Sequence, residues 1–112
     1  MFLETKREGE AKTVESWRQL LLDAADYIEA HGWVKNRIGT TGAAVCAVGA
    51  IWMAFQGDIP THGRWGTGRV IDVAFDRLTQ HVKELGFRGP SYFNDASTKS
   101  KVLAEMRACA NS

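Results

Sequence analysis

Apolar side chains recur at helical spacing in three stretches of the chain and fill a fourth almost completely. Trp17, Leu20, Leu21, Ala24, Ile28 and His31 share one stripe, which predicts a helix over residues 14–30. Thr13 stands where an N-cap belongs, and Gly32 where a left-handed residue closes a helix. Residues 42–56 are apolar nearly all round, with Val45, Cys46, Val48, Ile51, Trp52 and Phe55 among small Ala and Gly residues. A helix without a polar face is surrounded by other elements, so this stretch predicts the central helix. Ile71, Ala74, Phe75, Leu78, Val82 and Leu85 predict a third helix over 69–85, stopped by Gly86. Val102, Leu103, Met106 and Cys109 or Ala110 predict a fourth over 98–110, capped by Ser97 or Thr98.

Each of these helices needs a partner for its apolar stripe. The expected fold is therefore all-α, a compact bundle of four principal helices with long connections. The expected organisation is a frayed tail over residues 1–12 followed by one helical domain over 13–112. The connections span residues 32–41, 57–68 and 87–97, longer than bundle loops usually are. Long loops on a small scaffold are where binding residues concentrate.

With 112 residues, 45% apolar and 24% charged, the chain suits one globular domain. Its net charge of +1 lacks the basic excess of a general nucleic-acid binder. The charge is segregated: residues 1–32 carry a net −3, residues 33–70 a net +3 and the remainder +1. That asymmetry can steer an anionic ligand or an acidic partner, although a solvated surface is the plainer reading. No run approaches the ~18 apolar residues of a membrane span. The acidic, weakly apolar start does not read as a signal peptide, so the cytoplasm is the expected location. One disulfide between Cys46 and Cys109 is geometrically possible, but two lone cysteines far apart in a chain read as leaderless are more often free thiols.

Three short stretches carry a family resemblance. His31-Gly32-Trp33-Val34-Lys35 closes the first helix, Val45-Cys46-Ala47-Val48-Gly49-Ala50-Ile51 lies in the second, and Phe93-Asn94-Asp95-Ala96 precedes the last. Their order resembles an uncharacterised family of small actinobacterial and bacteriophage proteins. That family's pattern is an aromatic after helix one, a C-x-x-G-A helix and a W/F-N-D-A loop. The resemblance spans roughly residues 17–110 and implies an origin rather than a chemistry. Its matched positions here are Trp33, Cys46, Asn94 and Asp95. The interval from Trp33 to Cys46 is shorter than in members with a longer loop there, and residues 63–69 do not belong to the pattern.

Candidate chemistry is sparse. Cys46 with a histidine and Asp95 suggests a thiol nucleophile, but a thiol inside an apolar helix is inert. His31, His62 and His81 lie on separate segments, and no ligand spacing asks for a metal or another cofactor. The segment Gly63-Arg64-Trp65-Gly66-Thr67-Gly68-Arg69 stands out. Arg64 and Arg69 can grip phosphate, and Trp65 can stack on a base or fill a partner's pocket. It lacks a preceding strand and the Walker lysine, which excludes a P-loop. Asn94 and Asp95 read first as a turn before a helix cap, and Trp33 as a plug on the core.

The expected function is that of a non-enzymatic binding protein, phage-encoded and engaging a host protein. Arg64, Trp65 and Arg69 are its candidate contact residues, with Trp33, Asn94 and Asp95 in support. A binder of a nucleotide or other anionic metabolite, with a homodimer left open, is the first alternative. A DNA-binding regulator using the third or fourth helix is the second.

Overall fold

The computed structural model describes residues 16–60 and 70–112. These residues form five α-helices and no named strand: α1 Trp17–His31, α2 Ala47–Gln56, α3 Val70–Glu84, α4 Pro90–Asp95 and α5 Lys99–Ala110. Residues 1–15, with the expected tail and the Thr13 cap, lie outside the described residues, as do Arg64, Trp65 and Arg69.

α1 buries Trp17, Leu20, Leu21, Ala24, Ala25 and Ile28, a stripe repeating every three or four residues. Gly32 closes it with its N–H on the Ile28 carbonyl at 2.8 Å. Its φ is positive, 107°, but ψ is 170°, so the chain leaves α1 extended rather than curling into a left-handed cap.

The second helix departs from expectation at its start. It begins at Ala47, five residues later than the apolar run suggests. Val45 instead forms isolated bridges, parallel to Trp33 and antiparallel to Gly39. Four backbone hydrogen bonds complete this small ladder: Val34 N–H to Val45 O, Val45 N–H to Gly32 O, Cys46 N–H to Ile38 O and Thr40 N–H to Ala44 O. An apolar run has the same composition in a buried helix and in a buried extended segment, and tertiary pairing decides between them. Cys46 is the N-cap, its sulfur accepting from Gly49 N–H at 3.5 Å.

α3 buries Val70, Ile71, Ala74, Leu78 and Val82. α5 is capped by Thr98, whose hydroxyl accepts the Lys101 N–H at 3.2 Å. α4 falls inside the expected third loop. Proline at its first turn supplies a preset φ and needs no N–H partner there. Six residues are too few to display a period, which is why the pattern passes over it.

One core joins these elements. α1 packs on α2, α3 and α5, and α2 also touches α3 and α4. Trp17, Trp52, Phe55 and Phe93 are its large aromatics. Cys46 and Cys109 are both free and both buried. Among the described residues no helix is long and apolar enough to cross a membrane.

Candidate binding site

The 32–46 connection is long, yet it is held along its whole length. Tyr27 donates its hydroxyl to the Ala43 carbonyl at 2.7 Å. Thr41 Oγ1 donates to Asp58 Oδ1 at 3.0 Å and accepts the Ile59 N–H at 3.1 Å. The backbone N–H of Asn36 meets Asp95 Oδ1 at 2.6 Å. Asn36 itself sits at φ 68°, the left-handed region that asparagine tolerates better than most residues.

Asn94 is the centre of this arrangement and is 0% exposed. Its Oδ1 accepts from Trp33 Nε1 at 2.6 Å and from Ala47 N–H at 3.0 Å. Its Nδ2 donates to the Val34 carbonyl at 3.0 Å and to Asp95 Oδ1 at 3.2 Å. A side-chain amide offers two donor hydrogens and two acceptor lone pairs, and here all four are used. Trp33 Nε1 and the Ala47 amide are obligate donors, so the amide orientation follows from its partners. The three stretches that carry the family resemblance thus meet at one side chain: Trp33 after α1, the Cys46–Gly49 start of α2, and Asn94 in α4.

Gly49 makes the junction close. A Cβ there would lie 2.6 Å from the Ile38 carbonyl oxygen and 3.0 Å from Val45 Cβ. Gly39 is equally constrained, since its φ is 106° and a Cβ would collide with the Ala44 carbonyl.

Beside the junction opens a cavity of about 330 Å³, lined by Asn36, Arg37 and Ile38, by Cys46 and Val48, and by Ser91 and Asp95. Ser91 and Asp95 are one helical turn apart on α4 and so share a face. Among the described residues no histidine lines the cavity. Burial pushes the Cys46 thiol up, and the negative charge of Asp95 adds to this. The amides of Gly49 and Val48 pull the other way and lose. A thiol held protonated is a poor nucleophile. Among the described residues no group of three or more His, Cys, Asp or Glu gathers where a metal could sit.

The residues singled out from sequence are thereby sorted. Asp95 reaches the cavity. Asn94 lies beneath it with every polar atom engaged. Trp33 is half-buried against the core, with the Lys35 ammonium 5.6 Å from its ring centre. Asn36, Arg37 and Ser91 are additions that sequence reasoning missed. Their signal was the Lys-Asn-Arg tripeptide in a loop, and the Ser91–Asp95 spacing once that stretch is known to be helical.

A second cavity of about 280 Å³ lies at Trp17, Arg77, His81 and Cys109. There the guanidinium groups of Arg18 and Arg77 lie over the Trp17 ring, 4.5 and 4.9 Å from its centre. Those cations are spent on an aromatic ring of the protein itself. On the outer surface of α4, Tyr92 is 57% exposed, with the Arg88 guanidinium 5.3 Å from its ring centre.

Fold and site together define a small helical protein built on an asparagine-locked joint beside an open cavity. The chain belongs to a family of unknown function, DUF6197, which matches residues 12–112. Comparison with curated proteins and with solved structures gives no match.

Proposed function

We propose that this chain is a non-enzymatic binding protein that engages a second protein through the face bearing Arg88 and Tyr92. The observation that carries the reading is Tyr92, a large aromatic more than half exposed with an arginine beside it. Tyrosine and arginine are the residue types that dominate protein-interface hot spots. Leu85, 42% exposed, is the only other large hydrophobic with comparable exposure among the described residues. The four longer helices, α1, α2, α3 and α5, are read as the bundle that presents this face. The resemblance to phage-encoded proteins makes a bacterial host protein in the cytoplasm the first partner to look for.

Two observations support binding over other classes. Burial raises the cavity thiol's pKa and, among the described residues, no histidine lines the cavity with it, which disfavours covalent catalysis. On α5, Lys101 pairs with Glu105 at 3.1 Å, and Arg107 pairs with Asp26 and Glu29 at 3.0 and 2.6 Å. Cations already paired within the protein are less available to phosphates, which favours a protein partner over DNA.

The test is affinity capture from the cells the protein acts in, run in parallel with Tyr92→Ala and Arg88→Ala. A partner retained by the parent chain and lost by both folded variants supports the reading. An identical set of captured proteins for all three chains overturns it.

A further inference from the structure

The cavity beside the asparagine joint carries an inference independent of the Tyr92 face. We propose that it is a binding site for a small zwitterion of the free amino-acid class, its carboxylate on Arg37 and its ammonium on Asp95.

Opposite charges line this cavity without meeting. Arg37 and Asp95 both face it, yet they form no ion pair, and among the described residues Arg37 has no hydrogen-bond or ion-pair partner at all. Asp95 places both of its hydrogen bonds on Oδ1, from Asn36 N–H and Asn94 Nδ2. Its Oδ2 has no partner among the described residues. The Ser91 hydroxyl, on the same α4 face, is likewise uncommitted there. A guanidinium, a hydroxyl and a carboxylate oxygen, each without a partner among the described residues, therefore border one space. A ligand carrying an anion at one end and an ammonium at the other satisfies all three. A simple anion leaves Asp95 opposed, and a simple amine leaves Arg37 opposed.

Size and lining narrow the class further. At a share of about 30 Å³ per water, the space of about 330 Å³ equals roughly ten waters. That volume lies at the low end of the ~300–1,000 Å³ typical of ligand pockets. A free amino acid fits within that space. Ile38, Val48 and Cys46 supply an apolar wall for a short aliphatic side chain. The Asp95 end of the site is also preorganised. Asp95 is held by Asn36 and Asn94, and Asn94 is fully bonded to α2 and the loop. On the Asp95 side little ordering then remains to be done on binding.

The experiment is a titration of the full chain followed by backbone amide NMR, with three probes. L-valine carries both charges, isovaleric acid lacks the ammonium and isobutylamine lacks the carboxylate. Valine is expected to shift the amides of Asn36, Ser91 and Asp95 with a Kd of about 1 mM or tighter. Each half-ligand is expected to bind at least ~10-fold more weakly, the loss of one charged contact. Arg37→Gln and Asp95→Asn are each expected to cost at least ~10-fold in valine affinity. Arg37 is exposed and without a partner among the described residues, so its variant keeps the test sound even where Asp95→Asn disturbs the loop. Tyr92→Ala is expected to bind valine unchanged, which separates failure here from failure of the protein-binding reading. Unmoved amides with valine overturn the proposal. So does isovaleric acid or isobutylamine binding as tightly as valine, which would mark a site for anions or for amines alone.

Discussion

The indole N–H of Trp33 donates to the side-chain oxygen of Asn94 at 2.6 Å, joining the exit of α1 to α4 across 61 positions of sequence. The same oxygen takes the first amide of α2, one of the four N–H groups a helix start leaves without an intrahelical partner. One neutral side chain thus ties three segments and fixes one wall of the cavity.

Asn94→Ala is expected to destabilise the protein by about 3 kcal/mol, because buried donors and an acceptor lose partners that water cannot easily replace. Urea unfolding measures this, with a lower midpoint and an unchanged slope. The Trp33 indole N–H is expected to exchange with solvent faster in the variant. An unaltered midpoint would mean that the loop is held without Asn94.

Gly49 gives a prediction whose sign is informative. In a helix, Gly→Ala on intrinsic propensity stabilises by up to about 1 kcal/mol. Here the new Cβ meets the Ile38 backbone carbonyl at 2.6 Å, and a backbone atom cannot rotate away. Gly49→Ala is therefore expected to destabilise by about 1–3 kcal/mol, the usual range for overpacking. Thermal unfolding decides between the two signs.

The helical class and most of the core were legible in the sequence, because α1, α3 and α5 each carry a stripe long enough to show its period. Trp17, Leu78 and Met106 all lie where those stripes put them. The start of α2 was not legible. Val45 is as apolar in an extended bridge as in a helix, and only its pairing with Trp33 and Gly39 settles which it is. α4 was hidden for a different reason. Six residues hold less than two turns, and Asn94 resembles a turn residue until its four partners, all but one distant in sequence, are known. The cavity depends on both of these features, so Asp95 was legible as a candidate while Arg37 and Ser91 were not.

Cys109 is expected to be slow to alkylate. Burial pushes its thiol from 9.0 to about 11, against the weaker opposing charges of Arg77 and Arg18. Near pH 8 this leaves about a hundredfold less thiolate than an ordinary cysteine, and only the thiolate reacts. Labelling with iodoacetamide is expected to lag a free thiol by at least that factor in the native protein and to catch up in urea. A raised value favours the fold below the ordinary pKa. This contribution is complete below about pH 9 and is lost as pH climbs through about 11.

The acid limb of stability is expected to involve Glu105. His81 Nε2 donates to its carboxylate at 2.7 Å, and Lys101 lies 3.1 Å from its other oxygen. The hydrogen bond from His81, then that from Lys101, hold the carboxyl below its usual value of 4.5. A lowered carboxyl stabilises the fold above the unfolded-state pKa and ceases to do so as pH falls through the folded-state one. Glu105→Gln keeps the shape and removes the charge, at an expected cost of about 1 kcal/mol near neutral pH for a charge-assisted contact at a partly exposed site. Paired urea titrations of the parent and the variant at successively lower pH measure the gap. It is expected to begin to shrink once the medium is more acidic than 4.5, where the unfolded chain's carboxyl takes up its proton, and to close as pH falls through the lower folded-state value. A gap of constant size down the whole series would assign the contribution to the shape of the side chain rather than to its charge.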